Sequence, residues 1–275
     1  MKSPIRWTGS KRLIAKEIIK YFPKEIDTYY ECFLGGGSVF CELLDSNIKV
    51  EKYVLSDINS DLISLWNMLI AKPNQVIDTY TKLYKELYKD EDGQRQKEYF
   101  REIRQEFNKN KTIEYFMFLI RVQVNGLIRY NNSGEFNSPL VPTKKNKGIV
   151  PEKLKQIIHE FCTKIQNKNV KFIHSNYKDL KPKKNDYVYL DPPYSNSKGL
   201  YYGVIDYDEL WNWMRQLSCQ YSLSFNGVRG NMFYKYEIPK ELYSQEIMMQ
   251  NKQNGFRSIR GGINEELFER LYIKT

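Results

Sequence analysis

Histidine and cysteine are scarce in this chain. Its 275 residues include two histidines, His159 and His174, and four scattered cysteines, Cys32, Cys41, Cys162 and Cys219, none in a CxxC pair. A structural zinc site therefore lacks both ligands and spacing. A disulfide framework does not suit a chain of this size, so reduced, buried thiols are expected. Long apolar runs are missing as well. The longest, around Tyr115 to Ile120, is cut by Arg121, well short of the ~20 residues of a helical membrane span. No apolar stretch follows the basic residues of Met1-Lys2-Ser3-Pro4-Ile5-Arg6-Trp7, so no signal peptide is expected. These absences predict a soluble, cytoplasmic protein with no metal and no membrane partner. A monomer or weak dimer is expected.

What the chain does have is apolar and basic material. Hydrophobic residues make up 41% and aromatics 15%, enough for a buried core. The length suits one large domain, or one domain carrying an inserted lobe. Lys and Arg number 43 against 33 Asp and Glu, a formal charge of +10. That excess suits a polyanionic partner without identifying one.

Apolar spacing predicts a helix over Leu13 to Tyr21, stopped by Pro23. A β-prone run, Thr28 to Leu34, ends at Gly35-Gly36-Gly37. Ser38 is the expected N-cap of a helix through Leu44. A strand, Tyr53 to Ser56, closes on Asp57-Ile58-Asn59, and a helix follows from Asp61 to Ala71. Strand, glycine turn, helix, strand and acid open an α/β sheet. Residues 76–111 are densely charged and suit amphipathic helices broken near Gly93. An apolar helix, Tyr115 to Val124, leads into a hairpin-like stretch from Asn125 to Asn137, turning at Asn131-Asn132-Ser133-Gly134. This shift in composition predicts an inserted lobe over residues 66–168. Strands then return at Val170–His174, Tyr187–Leu190, Tyr221–Phe225, Ser244–Gln250 and Leu267–Ile273, with a helix over Tyr207 to Leu217.

Two motifs carry chemistry. Phe33-x-Gly35-x-Gly37 lies between a strand and a helix, where glycines permit close ligand approach and the helix start offers free N–H donors. A dinucleotide fingerprint needs a third glycine where this chain has Phe40. The remaining candidate meets the loop with a carboxylate and a ribose. S-adenosylmethionine fits, with Asp57 placed to hold ribose hydroxyls. The second motif, Asp191-Pro192-Pro193-Tyr194, follows a strand. Two prolines remove two backbone donors and fix two φ angles, leaving a carboxylate, bare carbonyls and an aromatic ring in one stiff cluster. Such a cluster suits a planar ring bearing an amino group.

In this order the motifs resemble the adenine-specific DNA methyltransferases of the Dam family. Arg6-Trp7-Thr8-Gly9-Ser10-Lys11, Leu55-Ser56-Asp57-Ile58-Asn59, Asn125-Gly126-Leu127, Arg129-Tyr130-Asn131 and Phe136-Asn137 extend the resemblance over most of the chain. It departs at Ser10, where the family has glycine, and at Val124, where it has phenylalanine. The resemblance implies a Rossmann-like, seven-stranded mixed sheet forming an S-adenosyl-L-methionine-dependent catalytic domain from residues 1–65 and 169–275. Residues 66–168 would form a mainly helical target-recognition domain with a β-hairpin. Trp7, Lys11, Cys32, Phe33, Gly35, Gly37, Ser38, Asp57, Asn176, Tyr177 and Asp191 would hold the methyl donor. Asp191, Pro192, Pro193 and Tyr194 would hold an adenine extruded from double-stranded DNA, with GATC the leading target sequence. Arg6, Asn125, Arg129, Tyr130 and Asn137 are the expected DNA contacts, Arg129 reading guanine and Asn125 or Tyr130 filling the space left by the base. The chain has no Pro-Cys dipeptide, the nucleophile signature of cytosine-C5 methyltransferases. A cytosine-N4 methyltransferase, or a catalytically dead DNA-binding protein on the same scaffold, are the alternative readings.

Overall fold

Four consecutive residues, Tyr187 to Leu190, are all buried and mark a strand covered on both faces. In a computed structural model that strand lies inside one mixed sheet. The structure describes residues 1–123, 128–141, 148–193, 205–229, 232–233, 237–251 and 267–275. Among these residues the strands are β1 (Glu25–Glu31), β2 (Lys49–Asp57), β3 (Val170–His174), β4 (Tyr187–Leu190), β5 (Gln220–Arg229), β6 (Met232–Phe233), β7 (Gln245–Asn251) and β8 (Leu267–Lys274). Seven run in the order β3-β2-β1-β4-β5-β8-β7, and the short β6 pairs with the far end of β5. The first five of these are parallel, and β8 runs antiparallel to both β5 and β7. The expected seven-stranded mixed sheet is thus present, with β6 in addition.

Helices cover both faces. They are α1 (Ala15–Ile18), α2 (Ser38–Leu44), α3 (Ser60–Ala71), α4 (Pro73–Leu87), α5 (Gly93–Asn110), α6 (Ile113–Val122), α7 (Pro151–Ile165) and α8 (Tyr207–Arg215). Strand alternation sorts the core. Tyr187 and Tyr189 face a large cluster shared with α2 to α7, whereas Val188 and Leu190 face a smaller one shared with α8. The larger cluster continues into the middle of the chain, where Phe107 stacks on Phe116 at 5.1 Å. Helix α7 lies within residues 66–168 yet packs on the sheet side, Phe161 meeting Trp66 at 5.4 Å and Phe40 at 6.4 Å.

Several boundaries differ from expectation. β1 begins at Glu25 and ends at Glu31, not Leu34, because the Leu34 amide leaves the ladder to bond Ser56 and its carbonyl closes a turn onto Gly37. The first helix is one α turn followed by a 3-10 turn, Ile19–Tyr21, rather than a continuous run from Leu13. Helix α5 starts at Gly93 because Asp92 caps it, accepting from the amides of Gln94 and Arg95. Helix α7 is additional to the expected elements, with Pro151 at its first turn and Leu154, Ile157, Ile158, Phe161 and Ile165 buried at helical spacing.

Candidate functional site

β1 and β4 are neighbours, but the chain leaves them toward opposite edges of the sheet. Such a switch point opens a crevice at the carboxyl ends of the strands. Both chemistry-bearing motifs fall there. On the β1 side, Gly35 and Gly37 adopt left-handed backbone, φ 48° and 59°. A Cβ on Gly35 would sit 2.9 Å from Trp7 Cδ1, and one on Gly37 would sit 2.9 Å from Trp66 Cζ2. Glycine is therefore required by backbone conformation and by the two indoles together. Trp66 Nε1 also donates to the Gly35 carbonyl at 3.1 Å, tying α3 to the loop. Ser38 is the first residue of α2 and not its N-cap; the left-handed Gly37 takes that place and gives no side-chain cap. The Ser38 hydroxyl instead lies 2.5 Å from that of Ser10.

Asp57 ends β2 beside this loop. Its Oδ2 accepts from the Gly35 amide and its Oδ1 from the Asn59 amide, both at 2.9 Å. Burial raises its pKa, and those amides and His174 pull it back down. Phe33 and Tyr177 bring their rings to 5.5 Å, and the Asn176 side chain caps the 3-10 turn carrying Tyr177 by accepting from Lys178. Cys32 is different. Its thiol is buried in the smaller core, so only its backbone faces the loop side, donating to the Tyr189 carbonyl at 3.3 Å.

On the β4 side, Asp191 follows the last strand residue. Lys11 reaches it from the N-terminal segment with Nζ 2.7 Å from Oδ1. The same ammonium lies 3.3 Å from Glu269 Oε2 on β8. Lys11 is only 6% exposed, so this triad has little water to screen it. The Lys11 carbonyl accepts from Ile14 and Ala15 at the entrance of α1, which fixes where the side chain departs. Removal from water pushes the Asp191 carboxyl up to about 6; Lys11 opposes that rise and Glu269 adds to it. Beneath lies Glu31, pushed up to about 8 by burial and accepting from Tyr29 Oη at 2.8 Å. Pro192 is buried, and the Pro193 carbonyl accepts from Tyr207 Oη at 2.7 Å, so the two-proline turn is clamped to α8. Tyr194 lies outside the described residues.

The hairpin is built on α5. Tyr130 and Phe136 form an antiparallel bridge, and the Asn137 amide donates to the Arg129 carbonyl at 2.9 Å. Asn108 brackets Phe136, its side chain accepting from the amide and donating to the carbonyl, both at 2.9 Å. Arg104 donates to the Asn137 and Ser138 carbonyls at 3.2 Å. Arg129 and Asn137 are left exposed on this frame. The Tyr130 hydroxyl is 3.3 Å from Asp61 Oδ2 and 3.5 Å from Asn59 Oδ1, at the start of α3. Arg6 is partly buried, and burial together with Arg12 lowers its pKa. Asn125, and the basic residues Lys144, Lys145, Lys147, Arg257 and Arg260, lie outside the described residues. Among the described residues no group of three or more His, Cys, Asp or Glu side chains could hold a metal, and no helix is long and apolar enough to cross a membrane.

Glu269, Glu31, Trp66, Asn108 and the buried Arg121 complete the site without having been singled out in the sequence. Arg121 donates to the carbonyls of Ser3 and Pro4, holding down the segment that carries Trp7 and Lys11. Only proximity in the fold reveals these roles.

A doubly wound sheet of this strand order, with an acid-tipped glycine loop on one side of the switch point and an Asp-Pro-Pro corner on the other, is that of an α/β methyltransferase. Residues 7–254 match the family model described as D12 class N6 adenine-specific DNA methyltransferase. Among curated relatives, the DNA adenine methylase of Escherichia coli K12 is 35% identical over 197 residues, covering 70% of this chain and 64% of that protein. The type II methyltransferase M.MjaIII of Methanocaldococcus jannaschii is 32% identical over 208 residues, covering 70% and 69%. M1.LlaDCHI of Lactococcus lactis subsp. cremoris, also a type II methyltransferase, is 30% identical over 199 residues, covering 69% and 64%. The chain thus spans about two thirds of the length of the curated relatives it matches. It belongs to the D12 class of N6 adenine-specific DNA methyltransferases.

Proposed function

We propose that this chain transfers a methyl group from S-adenosyl-L-methionine to the N6 amine of an adenine flipped out of double-stranded DNA. The observation that carries this reading is the Asp191-Pro192-Pro193 corner, which the fold sets beside the Gly35–Asp57 loop with its carboxylate gripped by Lys11. The residues on the β1 side fit the donor. The Asp57 oxygens accept from the Gly35 and Asn59 amides, and the carboxylate's four lone-pair sites leave capacity for a ribose hydroxyl. Phe33 and Tyr177 supply aromatic surface for an adenine ring. When bound, the donor supplies an electrophilic methyl on a sulfonium.

The protein's part is grip and alignment. Adenine's exocyclic amine is a weak nucleophile because its lone pair is delocalised into the ring. Asp191 and the Pro192 carbonyl would accept its two N–H bonds, drawing the nitrogen toward tetrahedral geometry and stabilising the positive charge that develops on attack. Proline at 193 fixes its φ and so the direction of the Pro192 carbonyl, and the clamp on Pro193 from Tyr207 keeps the turn from relaxing. Ionised Asp191 is the stronger acceptor and the form that stabilises the developing positive charge, so transfer should weaken as pH falls through about 6. Tyr194 is assigned to stack on the extruded base. Extrusion costs a few kcal/mol, which that stacking and the DNA contacts offset.

We assign residues 66–168 the DNA-reading role, with Arg129 and Asn137 on the Asn108-bracketed hairpin facing the duplex and Arg6 beside it. Tyr130 is assigned to anchor the hairpin on α3, which leaves Asn125 to fill the space of the extruded base. The target sequence GATC is part of the same proposal. Tritium transfer from labelled donor to duplex DNA tests the reaction: wild type should label adenine at N6 and Asp191→Ala should not. Equal labelling by both proteins would overturn the assignment of Asp191. Mapping methylated adenines in DNA from a host expressing the chain tests the sequence.

A further inference from the structure

β8 runs antiparallel to β5, so its first residues, not its last, lie at the carboxyl edge of the parallel strands. Register places Glu269 opposite Gly227, beyond a break in the β5–β8 ladder between Ser224 and Gly227. β4 ends at Leu190, level with Leu223. Glu269 therefore reaches the same crevice edge as Asp191 from two strands away, and both carboxylates meet the one Lys11 ammonium, at 3.3 and 2.7 Å.

We infer that Glu269 is a positioning residue for the Asp191 carboxylate, acting through Lys11. This inference rests on the methyl-transfer reading of Asp191. A lysine paired with Asp191 alone would neutralise it and draw its electron density, leaving a poorer acceptor for an amine. Sharing the ammonium with Glu269 leaves the three groups with a net negative charge and keeps Asp191 an acceptor while holding it in place. Among the described residues, further acids and phenols face this triad. Glu31 comes from β1 and is bonded to Tyr29, and Tyr189 comes from β4 and lies 2.8 Å from the Ser224 hydroxyl on β5. Glu31 is held toward its neutral form by burial, so Glu269 is the second carboxylate that the ammonium serves.

The discriminating variant is Glu269→Gln, which keeps a side chain able to bond Lys11 but removes the charge. Its kcat plateau should fall about tenfold, with the donor KM changed less than about twofold. The acid limb of kcat should move to lower pH, because a negative neighbour is gone and Lys11 turns fully to Asp191. Glu269→Asp should move both quantities in the same direction by less. A structural residue would lower the plateau and melting temperature with the acid limb unmoved, and that result would overturn the inference. Carbon-13 NMR of aspartate carboxyls in the free protein, with the Asp191 signal assigned by its loss in Asp191→Asn, follows the same titration without catalysis. A downward shift in Glu269→Gln supports the inference even if the wild type fails to methylate adenine, which would instead defeat the proposed function. An unshifted Asp191 titration overturns the role of Glu269 whatever the activity.

Discussion

The two acids at the switch point are held by different means. Asp57 is fixed by backbone amides, among them those of Gly35 and Asn59. Asp191 is fixed by a side-chain ammonium that it shares with a third strand. Backbone amides do not titrate and survive every substitution except proline, so the Asp57 corner changes chiefly when the loop changes shape. The Asp191 corner can be retuned by one residue at either end of the chain. A binding corner built from backbone and a reacting corner built from side chains place rigidity where a ligand is recognised and adjustability where charge develops.

The largest expected break is at Asp191 itself. Asp191→Ala should lower kcat by about 10²- to 10³-fold, as loss of one charge-stabilising group does elsewhere, a larger change than any in donor affinity measured by calorimetry. Retained turnover would mean the carboxylate does not grip the amine. Lys11→Met comes next. Losing the ammonium raises the Asp191 pKa, so the acid limb of kcat should move above about 6, opposite to the shift expected for Glu269→Gln. A limb moving the same way in both variants would show that the triad does not act as described.

Asp57→Ala sharpens the comparison from the other side. The donor KM should rise roughly 10- to 100-fold, the worth of hydrogen bonds to a charged group, and the acid limb should stay where it is. A shifted limb would show that the two corners are one electrostatic unit. Gly35→Ala puts a Cβ into Trp7 and forces alanine to φ 48°. Denaturant unfolding should show a loss of about 1–3 kcal/mol. An unchanged midpoint would mean the loop is not held in that conformation.

The smallest effect concerns the floor of the site. Glu31 is only 3% exposed, and its folded-state pKa is raised from about 4.5 to about 8. Because the folded value exceeds the unfolded one, its contribution to stability is complete below about pH 4.5 and is lost as pH rises through about 8. Glu31→Gln stays neutral, so its melting temperature should fall less across that window than the wild type's. Parallel curves would show that Glu31 is ionised in the folded protein.

The legible and the hidden parts of the site divide along the same line. Gly35, Gly37, Asp57 and Asp191-Pro192-Pro193 could be read from the sequence because their chemistry needs those residue types close together along the chain, at strand ends that periodicity already marks. The sheet was legible for the same reason, each strand being a short apolar run bounded by turn residues. Glu269 was not legible. It meets Lys11 only because β8 inserts between β5 and β7, and nothing near it in sequence signals a buried partner. Asn108 and Arg104 look like ordinary polar residues of a charged helix, and only the hairpin lying across α5 gives them a role. Ser38 was misread as a cap because serine commonly caps helices. Here the left-handed glycine before it had already turned the chain. Tyr130, expected near the extruded base, also bonds to Asp61, a contact between segments far apart in sequence that the hairpin motif alone does not signal.

The most direct test of the Asp191 corner is a crystal structure with duplex DNA and a non-reactive analogue of the methyl donor. The target adenine should lie outside the helix stack with its N6 within about 3 Å of both the Asp191 carboxylate and the Pro192 carbonyl. Lys11 should still bridge Asp191 and Glu269. An extruded adenine whose N6 faces other groups, or an Asp191 whose carboxylate is wholly taken up by Lys11 and turned from the base, would contradict the mechanism.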